Sequence, residues 1–156
     1  MIVYNVSNTE KPSNDLYHLR ECGDLGHGVY VTTDREQAGH EAQHYIKIGE
    51  TAYLNIFELD NIPPLFTYKR FDAFDGEWLD YVANCRRGTE KRIYDIVEGG
   101  IIDYEIYCIV NLYLKGESSR EQTVQQLSTK TPKHQICICN PRLAERFLHF
   151  VKSVKL

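Results

Sequence analysis

No apolar run in the 156-residue chain approaches the ~20 residues needed to cross a bilayer, so no membrane-spanning helix is expected. Nor is there an excess of basic charge. Eighteen Lys and Arg against 22 Asp and Glu give a formal charge of −4, which argues against a general binder of nucleic acid or anionic membrane. No internal repeat, low-complexity tract or Gly/Ser-rich linker divides the sequence, and its length suits one domain over residues 1–156. The opening MIVYNVSNTEKPSND turns polar too early for a signal peptide, so a cytoplasmic location is expected.

The five cysteines are odd in number, scattered, and lack the spacing of a secreted disulfide framework. Cys137 and Cys139 alternate in HQICIC and so share one strand face, but no C-x₂-C spacing supplies further metal ligands. Two free thiols are the simpler reading.

What is present is a mixture of short strands and capped helices. Ile2 to Val6 and Gly28 to Thr32 read as strands, separated by an irregular loop over residues 8–27 of the length that usually carries function. Thr33 with Glu36 suggests a capping box for a helix from about Asp34 to Ile48, ended by Gly49. Thr51 to Leu59 is a third strand. Trp78, Tyr81, Val82 and Cys85 form one helical stripe closed by Gly88, and Ile93 to Val97 is another strand. Asp103 should cap a helix with Ile106, Ile109, Val110, Tyr113 and Leu114 inward, and Ser119 with Gln122 should open another that runs to Leu127. After a strand from His134 to Cys139, Asn140 and Pro141 start a last helix, with Leu143, Phe147, Phe150 and Val151 inward. Strict βαβ alternation is missing. The class expected is α+β.

Three constellations could carry chemistry. His40-Glu41-Ala42-Gln43-His44 is a literal H-E-x-x-H, in which two histidines one helical turn apart can share a zinc ion with the glutamate as general base. Its apolar flanks and extended third ligand are missing, so a solvated helix face is the competing reading and no metal is assigned. The glycines of Gly26-His27-Gly28 allow close backbone approach to a ligand, or simply a turn. Arg86 and Arg87 either complement a helix C-terminus or clamp a phosphate.

The order of several motifs is more specific. Glu10-Lys11-Pro12, Tyr17-His18-Leu19-Arg20, Gly23 through Thr33, Glu36-Gln37-Ala38, Glu77-Trp78-Leu79-Asp80-Tyr81, Cys85-Arg86-Arg87, Tyr94-Asp95-Ile96-Val97 with Gly99-Gly100, and Gln135-Ile136-Cys137 occur in register. Together they resemble the bacterial family catalogued as domain of unknown function 3990. That family is similar to the ADP-ribosyltransferase superfamily, whose members bind NAD in a cleft between two packed sheets. The resemblance implies an ADP-ribosyltransferase-like split β-sheet core with flanking helices.

It also implies site residues. The superfamily's first signature strand carries Tyr-His-Gly-Ser, and this chain has Tyr4-Asn5-Val6-Ser7 there. Asn5 retains a hydrogen bond for a ribose hydroxyl, and Val6 retains the backbone N–H and C=O that hold the nicotinamide amide. On the second strand, which ends at Thr32, Tyr30 would wall the nicotinamide pocket. A second stacking aromatic belongs early in the next helix, where His40 or Glu41 stands. The third strand's catalytic glutamate is replaced by Gln135, counted from Asn140-Pro141; Arg20 on the long loop would reach the diphosphate, and His18 on the same loop is a further cofactor-binding candidate. Gln135 keeps a hydrogen bond but not the charge that stabilises a ribosyl cation.

The resemblance therefore implies an NAD-dependent ADP-ribosyltransferase, with NAD as substrate, a protein or nucleic-acid acceptor, and a small antitoxin as partner. The alternative is a catalytically degenerate module that binds NAD or another nucleotide. A zinc hydrolase through H-E-x-x-H is the third choice.

Overall fold

The structure, a computed structural model, describes residues 1–10, 20–88 and 93–156, with the backbone alone for residues 20–22. In chain order its first half contains β1 (Ile2–Ser7), β2 (Arg20–Gly23), β3 (Gly26–Val31), α1 (Arg35–Lys47), β4 (Tyr53–Leu59), β5 (Tyr68–Arg70) and α2 (Gly76–Arg86). The second half contains β6 (Ile96–Gly100), α3 (Tyr104–Leu114), α4 (Arg120–Leu127), β7 (His134–Ile138), α5 (Pro141–Phe147) and β8 (Leu148–Lys155). The class is α+β, as the residue patterns indicate.

Two sheets organise the molecule. One has the order β1-β4-β8 and is antiparallel, while the other runs β2-β3-β7-β6-β5 and is antiparallel except for the β5–β6 pair. Alternation along the strands gives each sheet two working faces. Val3, Phe57 and Leu59 from the first sheet meet Val31, Ile96, Ile136 and Ile138 from the second, with Leu143 and Ala144 of α5 in the same core. The other face of the five-stranded sheet packs Val97 and Cys137 against Trp78, Leu79 and Val82 of α2, Ile106 and Val110 of α3, and Leu127 of α4. Small residues let α1 lie close to the three-stranded sheet: Ala38 and Ala42 pack on Val6, Ala52 and Leu54.

The helix starts follow local chemistry. Asp75 accepts from Trp78 N–H, Asp103 from Ile106 N–H and Asn140 from Arg142 N–H, while Ser119 and Gln122 complete the expected capping box. At α1 the expected Thr33 box does not form. Asp34 is the cap instead, with its Oδ1 accepting from Glu36 and Gln37 N–H at 2.9 and 3.1 Å. A carboxylate there also faces the positive end of the helix dipole, which a threonine hydroxyl cannot match.

Three other expectations need correction, and one strand was not expected. Part of the loop assigned to residues 8–27 is strand β2, paired with β3 through Arg20 and Gly28 and turned at Gly26, whose φ is 110°. Residues 11–19 of that loop lie outside the described residues. The strand placed at Ile93 to Val97 lies three residues later, because Gly99 and Gly100 belong inside it. A Cβ at Gly100 would overlap the Phe74 ring, so the glycine makes room for the segment that leads into α2. Strand β5, an edge strand of three residues, had no alternation to reveal it. Finally, the last helix stops at Phe147. Leu148–Lys155 forms β8 on β4, where Phe150 packs edge-on against Phe57 at 5.6 Å and Val151 is 51% exposed.

Candidate functional site

The two sheets touch through their backbones at one place among the described residues. Tyr4 N–H donates to Thr32 C=O at 2.8 Å, and Thr32 N–H donates back at 2.9 Å. One pair further along, the strands no longer bond directly. Asn5 Nδ2 spans the gap and donates to Tyr30 C=O at 3.0 Å. Beside this junction lies a cleft of about 810 Å³.

Its position follows from two rows across the three-stranded sheet. Val3, Phe57 and Phe150 stand opposite one another and form an apolar row in the core between the sheets. The next inward row is Asn5, Asn55 and Ser153. Asn55 is fully buried, and its Nδ2 donates to Asn5 Oδ1 at 3.3 Å and to Ser7 Oγ at 2.8 Å. Ser153 Oγ donates to Asn55 Oδ1. Where the row turns polar, the apolar contact between the sheets ends and the cleft opens.

Six residues singled out from the sequence line that cleft: Tyr4, Asn5, Val6, Tyr30, Thr32 and Gln135. The Val6 side chain packs away into the α1 core, while strand alternation sends its N–H and C=O to the same edge as those of Tyr4. Thr32 is nearly buried, with its hydroxyl accepting from Asp34 N–H at 3.1 Å and donating to His134 C=O at 3.3 Å. Gln135 stands opposite Gly99 in the β6–β7 ladder, on the face that also carries Cys137. Arg20 contributes the β2 backbone, and His18 lies outside the described residues.

Tyr30 is committed to the protein more than a free pocket wall would be. Its hydroxyl donates to Gly26 C=O and accepts from Leu25 N–H at 3.1 Å, clasping the β2–β3 hairpin. Burial, and then the neighbouring Cys137 thiol, push the phenol far above its ordinary range. Gly28 answers one of the open questions from the sequence. A Cβ there would collide with Ile138 C=O and Cys137 Sγ, so the close approach it permits is to strand β7.

Helix α1 forms the opposite wall. Gln37, His40, Glu41 and His44 fall on one stripe and line the cleft, so the H-E-x-x-H faces it. His40 and His44 are exposed, with His40 Nε2 3.9 Å from Glu36 Oε1. Among the described residues no three His, Cys, Asp or Glu side chains gather as a metal site. The described charged residues that line the cleft besides histidine are Asp24, Glu41 and Asp103. Arg86 is turned elsewhere: it pairs with Asp24 at 2.7 Å and lies over the Tyr107 ring at 5.1 Å. Arg87 lies over Tyr113. Cys137 and Cys139 share a face as expected, with sulfurs 3.6 Å apart. No helix among the described residues is long and apolar enough to cross a membrane.

Sequence reasoning missed Asn55 and Ser153. The available signal was a polar residue at the inward phase of each of three strands, which needs the strand pairing to be seen as one row.

The chain matches, over residues 1–150, the family model described as "Protein of unknown function (DUF3990)". No curated protein matches it, and no solved structure does.

Proposed function

We propose, on the premise that the chain belongs to the DUF3990 family, that it is an NAD-dependent ADP-ribosyltransferase acting in the cleft beside the Tyr4–Thr32 junction. One observation carries the reading. Six of the residues that the superfamily resemblance names, spread between positions 4 and 135, line one cleft. Two sheets that, among the described residues, part at a single backbone bridge likewise support an ADP-ribosyltransferase-like split core.

In this reading the Val6 backbone holds the nicotinamide amide, Asn5 faces a ribose, and Gln135 stands at the ribose that is transferred. The bond between nicotinamide and ribose breaks with its electron pair going to the ring nitrogen, which becomes neutral. The cation left at the anomeric carbon is taken by an acceptor nucleophile, which then gives up its proton. The acceptor is a protein or nucleic acid, and a small cytoplasmic antitoxin would restrain the activity.

A second reading, a module that binds NAD without turning it over, is favoured by two observations. Asn5 already spends its amide on Tyr30 and Asn55, and position 135, where the resemblance expects a glutamate, carries a neutral glutamine.

NAD titration by calorimetry, with glycohydrolysis assayed for the parent and Gln135→Glu, tests both. The expected result is NAD binding by the parent and a larger gain in turnover than in affinity for Gln135→Glu, because the added charge favours the transition state over the ground state. Binding with no turnover in either protein selects the second reading. No binding and no turnover overturns both.

A further inference from the structure

Cys137 Sγ and Cys139 Sγ lie 3.6 Å apart, in contact but unbonded. A disulfide needs ~2.05 Å, so each sulfur has less than ~1 Å to travel. The backbone permits the move. Two residues of regular strand advance ~6.4–6.8 Å, the upper end of the Cα separation that a disulfide spans. Here β7 ends at Ile138, and the N–H groups of Cys139 and Asn140 both donate to Asp95 C=O, at 2.8 and 3.1 Å. Successive N–H groups of an extended strand point to opposite sides, so sharing one acceptor bends the chain at Cys139 and gives the pair slack. The two thiols differ in access: Cys137 is fully buried, whereas Cys139 is partly exposed. The hydrogen bond with Cys139, and then burial, hold the Cys137 thiol far above its ordinary range, so it keeps its proton until a reaction removes it. Both sulfurs also meet the β2–β3 turn. Cys137 Sγ is 3.8 Å from Gly26 C=O and Cys139 Sγ 3.9 Å from Leu25 C=O, the two residues that the Tyr30 hydroxyl clasps.

We infer that Cys137 and Cys139 form an oxidation site for a hydroperoxide, and that its closure to a disulfide loosens the β2–β3 hairpin. The accessible Cys139 sulfur attacks a peroxide oxygen; the O–O bond breaks, and water or an alcohol leaves with the thiol proton. Cys139 is now a sulfenic acid. The Cys137 sulfur attacks it, the S–O bond breaks, and the hydroxyl leaves with the Cys137 proton as water. Two thiols are oxidised and one peroxide is reduced. A disulfide has no S–H, so Leu25 and Gly26 C=O lose these weak donors and keep the Tyr81 and Tyr30 hydroxyls. The hairpin carries Asp24, Gly28 and Tyr30 to the cleft, which couples the thiols to it whatever ligand the cleft takes.

Hydrogen peroxide on the full chain, followed by alkylation of the remaining thiols and tryptic digestion, tests the site by mass spectrometry. Cleavage after Lys133 and Arg142 puts both cysteines in one peptide, HQICICNPR. The expected peptide is lighter by two hydrogen atoms than its reduced form and carries no alkyl group, while Cys108 of α3 is still alkylated. A thiol reductant should restore both sites. Cys137→Ser should stop at the Cys139 sulfenic acid, which dimedone traps, and Cys139→Ser should leave Cys137 unoxidised. Amide hydrogen exchange over residues 25–30 should quicken several-fold in the oxidised parent, with α1 unchanged. Two alkyl groups on the peptide after peroxide, a Cys139 sulfinic acid beside an intact Cys137 thiol, or a crosslink from Cys137 to Cys85 would each overturn the site. A disulfide with unaltered exchange in the hairpin overturns the coupling. If either serine variant fails to fold, the peptide from the parent decides alone.

Discussion

Asn55 Nδ2 donates to Asn5 Oδ1 at 3.3 Å, and Asn5 Nδ2 in turn donates to Tyr30 C=O at 3.0 Å. The first bond lies within one sheet and the second crosses to the other. Asn55 thereby decides which end of the Asn5 amide faces strand β3, and the orientation of a residue at the cleft is fixed from a position buried behind it.

Truncating this anchor should be costly, since it strands its partners in a buried place. Asn55→Ala removes the donor to Asn5 and Ser7 and the acceptor for Ser153, and unmet buried groups cost ~1–3 kcal/mol. For a domain of this size the melting temperature should fall by roughly 2–4 °C for each kcal/mol. Asn55→Asp keeps the acceptor but loses both donor bonds, and should also be destabilised. Thermal unfolding of the two variants checks this, and melting temperatures equal to the parent's would show that the row contributes nothing.

Tyr30 supplies a prediction with a pH sign. Burial raises its folded pKa above the ordinary phenol value of 10.0. The unfolded chain therefore loses this proton first as pH rises. Stability from the buried phenol is fully present below pH ~10 and is lost progressively above it. Tyr30→Phe should be less stable than the parent at neutral pH, because Leu25 N–H and Gly26 C=O lose their partner. Above pH ~10 the gap should narrow by up to ~1.4 kcal/mol per pH unit, the weight of one proton. Urea unfolding from pH 7 to 11 measures it, and a gap that stays constant would mean that Tyr30 titrates alike in both states.

The signals legible in the sequence were those whose cause is local. Asp103, Ser119 and Asn140 cap helices because a side chain and an N–H two or three residues on are enough. Trp78, Val82 and Cys85 are buried as their spacing requires. What was not legible depended on partners far along the chain. Phe147 and Val151 suit a helical stripe, but pairing with β4 turns the segment from Leu148 into a strand. Gly99 and Gly100 look like a terminator until Trp78 and Phe74 are placed against them. At the cleft, individual residues were identifiable by motif order, while the Asn5–Asn55–Ser153 row existed only once three strands were aligned.

Two glycines, Gly28 and Gly39, should respond to alanine in opposite directions. Gly39 sits inside α1, just before the H-E-x-x-H, with nothing within 4 Å of a built Cβ and no positive φ. Glycine in a helix interior is less favourable than alanine by ~0.5–1 kcal/mol, so Gly39→Ala should stabilise the protein by about that amount. Gly28 is held where β3 passes β7, and the first atom a Cβ would strike is a backbone oxygen, Ile138 C=O, which a rotamer change cannot move aside. Gly28→Ala should therefore push the strands apart and cost ~1–3 kcal/mol, the range for overpacking. The strands concerned carry Tyr30 and Gln135, so the same substitution should also disturb the cleft, whereas Gly39→Ala changes α1 stability without adding bulk to its contacts. Denaturant unfolding of both variants provides the test. A stabilised Gly28→Ala would mean that the β3–β7 pair has room to spare, and that the glycine is there for something approaching from the cleft.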